Sequence, residues 1–328
     1  MRGATPAAGP VRVARARPLL GTMVMLRLQA DGAGEGAGAR DGQADVQGGG
    51  GDAVSHLDAA ADAAFAAIAD VHRLMSFHDP ASDVRRLARA RPGERVHVAR
   101  ATAAVLARAQ AWARASGGAF DAGCGARAVA AGWLPPPDDA APPGNLPFED
   151  ALRIVRTPPP DTARRHGRAA GVAIDVLATT WLDLGGIAKG WAVDRAVAVL
   201  RRHRVPGGVV NAGGDLRVFG TAEEAIRLRL PDVPAHALDL AMLRDGACAT
   251  SARGEVSVRP GLQVDEAALA AVRSITVFAP TACAADALAT VCWVLGDAAR
   301  PLLQLARAQA VRVDATGRMT AMGPGITS

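Results

Sequence analysis

One forty-residue stretch, WLDLGGIAKGWAVDRAVAVLRRHRVPGGVVNAGGDLRVFG from Trp181 to Gly220, constrains the fold more than any other part of the chain. Leu182 to Leu184 reads as the end of a strand, and Gly185-Gly186 as a tight turn with no Cβ to block close approach. Ile187 then opens a helix whose apolar face is Ile187, Trp191, Val197 and Leu200, with Arg201 and Arg202 in the last turn where the macrodipole favours cations. Strand, glycine pair and helix N-terminus together form an anion site, because the first N–H groups of a helix have no intrahelical partner. Asp183 and Lys189 flank that site. Lys189 is the only lysine among 37 basic residues. A chain that uses arginine everywhere else keeps a lysine where a compact, reaching ammonium is needed. A second glycine turn, Asn211-Ala-Gly-Gly-Asp215, follows closely. Glycine pairs alone occur in many ordinary strand-to-helix turns; their coincidence with Asp183, Lys189 and the second turn points to a functional site.

At 328 residues, half of them hydrophobic and 21% charged, the chain is long enough for a large core in a soluble globular protein. No apolar run is read as approaching the length of a membrane span. The N-terminus has arginines but no apolar h-region, so no leader is read there and a cytoplasmic location is expected, or a periplasmic one if the true start lies elsewhere. Four cysteines (Cys124, Cys248, Cys283, Cys292) show no metal-ligand spacing and suit small core residues in a reducing compartment. The net charge of +5 comes from scattered arginines, and with 3% aromatic residues and no tyrosine there is little for base stacking. A nucleic-acid partner is not expected.

In chain order, residues 1–17 are expected to be disordered, and Thr22 to Ala30 alternates as a strand. Residues 31–52 form a Gly/Ala/Asp insertion that cannot bury a core. Leu57 to Met75, Asp83 to Ala90 and Thr102 to Ser116 read as helices. Residues 133–160 are a proline-rich surface excursion holding one short helix, Pro147 to Val155. Strands follow at Val172 to Val176, Thr180 to Leu184, Val209-Val210, Leu216 to Phe219, Ile226 to Leu230, Ala247 to Thr250 and Ser274 to Ala279. Helices run from Pro280-Thr281 through Leu295 and from Pro301 to Ala310, and a closing hairpin pairs Val311 to Asp314 with Met319 to Met322. Strands pair with hairpins as often as with helices, so the fold class is α+β, one large domain over residues 18–328.

Asp286 and Thr290, four apart, stack on one helix face and offer a carboxylate and a hydroxyl to one point. Those are hard donors suited to Mg²⁺, and a carbonyl near Gly186 is a sensible third ligand. Taken alone, Asp286 reads as an acid serving the helix macrodipole. GGIAKG lacks the spacing of a Walker loop, and no GxGxxG opens a helix. Asp121, Asp183 and Asp215 each sit beside glycines, where an acid can contact a ligand, act as a base or simply cap a solvated turn. The histidines show no metal spacing, and there is no nucleophile elbow.

Seven strings in order, PLLGTM (18–23), MSFHDPASDVRRL (75–87), SGGAFDAG (116–123), DLGGIAKGWAVD (183–194), VVNAGGDLRVFG (209–220), ATSA (249–252) and SITVFAPTACAADALATVCWVLG (274–296), resemble the ApbE-like FAD:protein FMN transferases. The resemblance implies an α+β flavin transferase fold. It implies FAD as substrate, Mg²⁺ on its pyrophosphate, and transfer of FMN to a Thr or Ser of an acceptor flavoprotein with release of AMP. It places the metal at Gly186, Asp286 and Thr290, with Ala289 adjacent. It places flavin nucleotide contacts at Leu20, Phe77, Ala119, Phe120, Asp121, Asp183 and Lys189, the last two also as catalytic groups. Three departures stand out. The family's His-x-Ile-Asp-Pro-x-Thr-Gly loop is reduced to a Val264-Asp265 remnant, which adds Val264 to the nucleotide contacts and puts Leu262 where the histidine belongs. ATSG has become ATSA, and the tyrosine after AKG is Trp191. The missing histidine leaves two alternatives beside transfer: hydrolysis of FAD to FMN and AMP, or FAD binding without turnover.

Overall fold

The computed structural model describes residues 10–30, 49–137, 139–144, 146–155, 172–229, 237–252, 258, 260–262, 264 and 266–323. Its first half runs β1 (Val11–Leu19), β2 (Thr22–Ala30), α1 (Gly49–Met75), α2 (Asp83–Arg89), β3 (Arg95–Val98), α3 (Arg100–Ala115), α4 (Gly125–Ala130), α5 (Phe148–Ala151), β4 (Leu152–Val155) and β5 (Val172–Val176). The second half runs α6 (Gly185–Arg202), β6 (Gly207–Ala212), β7 (Asp215–Gly220), β8 (Glu223–Arg229), β9 (Ala237–Arg244) and β10 (Ala247–Ala252), then α7 (Glu266–Ala271), β11 (Val272–Ala279), α8 (Ala282–Leu295), a 3₁₀ turn (Gly296–Ala299), α9 (Arg300–Leu305), β12 (Gln309–Asp314) and β13 (Met319–Met322). The α+β class is as the sequence indicates.

Eight strands form one antiparallel sheet in the order β1-β2-β6-β7-β10-β11-β12-β13. Alternation sets its two faces: Val24, Leu26 and Leu28 of β2 are buried, while Met23 and Met25 point outward. Helices α1, α6 and α8 pack on the sheet's core face, with α6 touching both others. The opposite face is covered by the β8–β9 hairpin over a small cluster of Val209, Leu216, Val218, Ile226 and Cys248. Helix α3 and the three-stranded sheet β3-β5-β4 close the flank of the main core.

One residue fixes how α6 meets α8. A Cβ at Gly190 would lie 2.2 Å from the carbonyl oxygen of Ala282, so only glycine lets the two backbones touch. Asp194, one turn on, accepts from the N–H groups of Ala282 and Cys283 at 3.0 Å each and, with the Thr281 hydroxyl, caps α8.

Several expectations change. Residues 11–17, read as disordered, lie in β1, paired in full register with β2. The first helix begins at Gly49 rather than Leu57, taking in the end of the 31–52 segment, whose residues 31–48 lie outside the described set. Thr180 to Leu184 is not a strand; its backbone instead bonds the 122–125 turn, Asp183 N–H to Ala122 and Gly125 N–H to Trp181. Pro147 to Val155 divides into α5 and β4, and its Phe148 and Leu152 belong to the core rather than to a surface excursion. The last helix stops at Leu305, because Gln309 and Ala310 are needed by β12. Trp191 is half-buried and packs at the edge of the core, while the fully buried face of α6 is Ile187, Ala192, Val193, Ala196, Val197 and Leu200. Counted as one, Ala282–Leu305 is long and apolar enough to cross a membrane, but 67% of its most apolar window is buried inside the protein, as in a core helix.

Candidate active site

Helix α6 starts at Gly185, two residues before the expected Ile187, because the Asp183 side chain takes the Gly185 N–H (2.8 Å). Gly185 and Gly186 are therefore its first turn rather than a separate corner. From the next turn Lys189 folds back, donating to the Gly185 carbonyl at 2.8 Å. Its ammonium stands 3.1 Å from Asp215 Oδ2 and 3.8 Å from Asp286 Oδ1. Two nearly buried carboxylates thus face one lysine across the α6–α8 contact. Asp286 Oδ2 also accepts the Gly190 N–H at 3.1 Å. In a regular helix that N–H serves the Gly186 carbonyl, so the carboxylate competes for its donor.

This crowding is electrostatically strained. Burial, with the negative charge of Asp215 next, pushes the Asp286 carboxyl up to about 8; Lys189 and the Gly190 N–H pull it back down. Burial likewise pushes the thiols of Cys248, Cys283 and Cys292 up to about 12, which fits their reading as core residues.

Two cavities meet at Gly185 and Lys189. The first, about 220 Å³, is mostly apolar; its walls include Leu20, Met75, Phe77, Leu134, Asp183 and Ala188. The second, about 450 Å³, is lined by Gly186, Gly213, Asp215, Thr250, Asp286 and Thr290 among others. Gly186 keeps the second one open: a Cβ there would come 3.2 Å from Thr290 Oγ1 and 3.7 Å from the Phe120 ring.

The structure therefore brings together Leu20, Phe77, Asp183, Lys189, Gly186, Asp286 and Thr290, with Phe120 behind Gly186. It does not bring all the expected residues to the cavities. Ala119 is buried beside Phe120. Asp121 is held by Arg127 (2.8 Å) and the Gly123 N–H (2.9 Å), and lines neither cavity. Ala289 is buried in the core and lines neither cavity. Val264 is a half-buried loop residue outside both linings. Asp265, the other half of the remnant, lies outside the described residues. Asp215 is the residue that sequence reasoning undervalued, as one of three turn acids. Its signal was the NAGGD turn, closed by the Gly214 N–H to Asn211 Oδ1 bond (2.9 Å), which delivers Asp215 to Lys189.

An antiparallel sheet backed by crossing helices, with a lysine and two acids where two cavities join, defines an α+β protein with a candidate site at the α6–α8 contact. The family follows from comparison: residues 20–315 match the ApbE family, and the chain belongs to it. An FAD:protein FMN transferase of Treponema pallidum is 33% identical over 230 residues, 61% of this chain and 61% of that protein's length. The apo flavinyl transferase ApbE of Pseudomonas stutzeri has the same fold, with a TM-score of 0.68 at 18% identity over 95% of both chains. The ApbE protein of Thermotoga maritima, at 22% identity, has a TM-score of 0.66 over 95% of this chain and 97% of its own.

Proposed function

We propose that the chain is a Mg²⁺-dependent FAD:protein FMN transferase, attaching FMN through a phosphoester to a Thr or Ser of an acceptor flavoprotein and releasing AMP. The observation that carries this reading is Lys189, held between Asp215 and Asp286 where an apolar and a polar cavity join. A flavin ring suits the first cavity and a pyrophosphate the second.

The residues present fit the metal. Among the described residues no three His, Cys, Asp or Glu side chains cluster as a ligand set. The chain's donors would be the Asp286 carboxylate, the Thr290 hydroxyl and the Gly186 carbonyl, all hard oxygens, with substrate oxygens and water completing the shell. A buried carboxylate pushed up to about 8 is one that a cation would stabilise in its ionised form. Bound there, Mg²⁺ would neutralise charge on the pyrophosphate.

The side chains supply the rest. Lys189 and the first turn of α6 hold phosphate oxygens as charge builds on them. Leu20 and Phe77 wall the flavin ring from water. Asp183, on the same wall, is assigned to accept the proton of the acceptor hydroxyl. That oxygen bonds to the FMN-side phosphorus as the bridging P–O bond breaks, and AMP leaves. The test mixes protein, FAD and Mg²⁺ with Thr- and Ser-containing acceptor peptides. Covalent FMN on a peptide with matching AMP supports transfer. Free FMN with AMP, or intact bound FAD, contradicts it.

A further inference from the structure

A third cavity, about 510 Å³, opens on the other side of the α6–α8 crossing and shares no lining residue with the two above. Its walls include Trp112, Trp191, Arg108, Arg195 and Arg217. One acid, Asp194, lines it, and that acid is already spent. Its oxygens take Arg217 Nη1 at 2.6 Å and the first two N–H groups of α8. Arg108 lays its guanidinium over the Trp191 ring, 4.6 Å from the centroid, and its Nη1 donates only to the Ala104 carbonyl. Arg195, one turn beyond Trp191, meets no acceptor among the described residues. Trp191 Nε1 and Arg217 Nε lie behind these walls, sealed from solvent and without an acceptor.

Every unmet polar group here is a donor, and the charge in excess is positive. The cationic donors that line the cavity outnumber its one neutralised acid, so the complementary occupant is an anion that only accepts. Guanidinium groups match the oxygens of a phosphate in geometry as well as charge. We propose that this cavity binds a phosphate group, free or carried on a small aromatic ester that the two tryptophans contact. The inference does not rest on flavin transfer and stands or falls separately from it.

The Trp191 indole N–H, on a ring that lines the cavity under the Arg108 guanidinium, reports on charge placed there. In ¹⁵N-labelled full-length protein, with that resonance assigned through Trp191→Phe, inorganic phosphate and phenyl phosphate are titrated without Mg²⁺. A Lys189→Ala background removes binding at the start of α6. The Trp191 signal shifts saturably, while that of Trp181, bonded to the Ala141 carbonyl at 2.8 Å, stays in place. Arg195→Ala, a change at an exposed residue, weakens binding about tenfold or more. Tighter binding of phenyl phosphate identifies an organic phosphomonoester as the occupant, and equal binding identifies inorganic phosphate. A Trp191 signal that neither probe moves, or a shift undiminished in Arg195→Ala, overturns the proposal.

Discussion

Gly186 and Gly190 lie one turn apart on α6, and alanine at each separates the chemistry of the site from its scaffold. At Gly186 the new methyl would meet the Thr290 hydroxyl at 3.2 Å, a side chain that can yield by a few tenths of an ångström. Alanine also restricts the unfolded chain, worth about 0.4–1 kcal/mol in the opposite direction. The net change in stability is within about 1 kcal/mol, or about 2–4 °C in Tm. The methyl nevertheless fills the gap between the Gly186 backbone and Thr290 where the cation would sit, so AMP release from FAD falls about 10²-fold or more. At Gly190 the methyl would stand 2.2 Å from a backbone carbonyl, where ordinary contact begins near 3.4 Å, so the helices must part by about 1.2 Å. Overpacking of that kind removes about 1–3 kcal/mol or more. The same movement lengthens the 3.1 Å bond from Gly190 to Asp286 beyond hydrogen-bond range. Calorimetry and AMP release on both variants test this. The reasoning fails if Gly186→Ala turns over FAD at the parental rate, or if Gly190→Ala melts with the parent.

Lys189→Arg keeps the charge but sets a planar fork where an ammonium sits between Gly185 O and Asp215; FAD turnover should drop about tenfold or more in steady-state assays, and Lys189→Ala about 10²–10³-fold. In metal-free protein, Asp286 holds its proton up to about 8, while the unfolded chain releases it near 3.8. Its contribution is therefore least harmful below pH 3.8 and grows destabilising as pH rises towards 8, so Tm measured with chelator should fall less steeply across that window in Asp286→Asn. Asp139 lies below the ordinary carboxylate range because Arg85, and then Arg89, bond it. Arg85 also reaches the Phe77 carbonyl at 3.3 Å, so Asp139→Ala should raise KM for FAD through the cavity wall while moving Tm by less than about 2–4 °C.

Periodicity made much of the scaffold readable. β2 and β5 fall at their expected bounds, and α6 and α8 within two residues, since each carries a buried face that repeats at its own period. β1 was hidden because ARARP looks like a solvated tail; what makes it a strand is a partner, the register with β2, and partners are not written in local sequence. Thr180 to Leu184 has strand composition but no ladder to join, so tertiary context overrode propensity. At the site, the lone lysine and the spacing of Asp286 and Thr290 were legible as residue types. The 2.2 Å approach at Gly190, which brings the two helices together, and the capture of Lys189 by Asp215 are long-range packing facts that no window of sequence contains.

The account depends on the acids and lysine at the α6–α8 contact cleaving a flavin dinucleotide towards a hydroxyl acceptor. AMP released from FAD with Mg²⁺ and acceptor peptide, compared between the parent and an Asp286→Ala variant whose circular dichroism matches it, measures that directly. AMP equal to the FMN carried by the peptide, and lost in the variant, is the predicted result. An Asp286→Ala protein that releases AMP at the parental rate would contradict it.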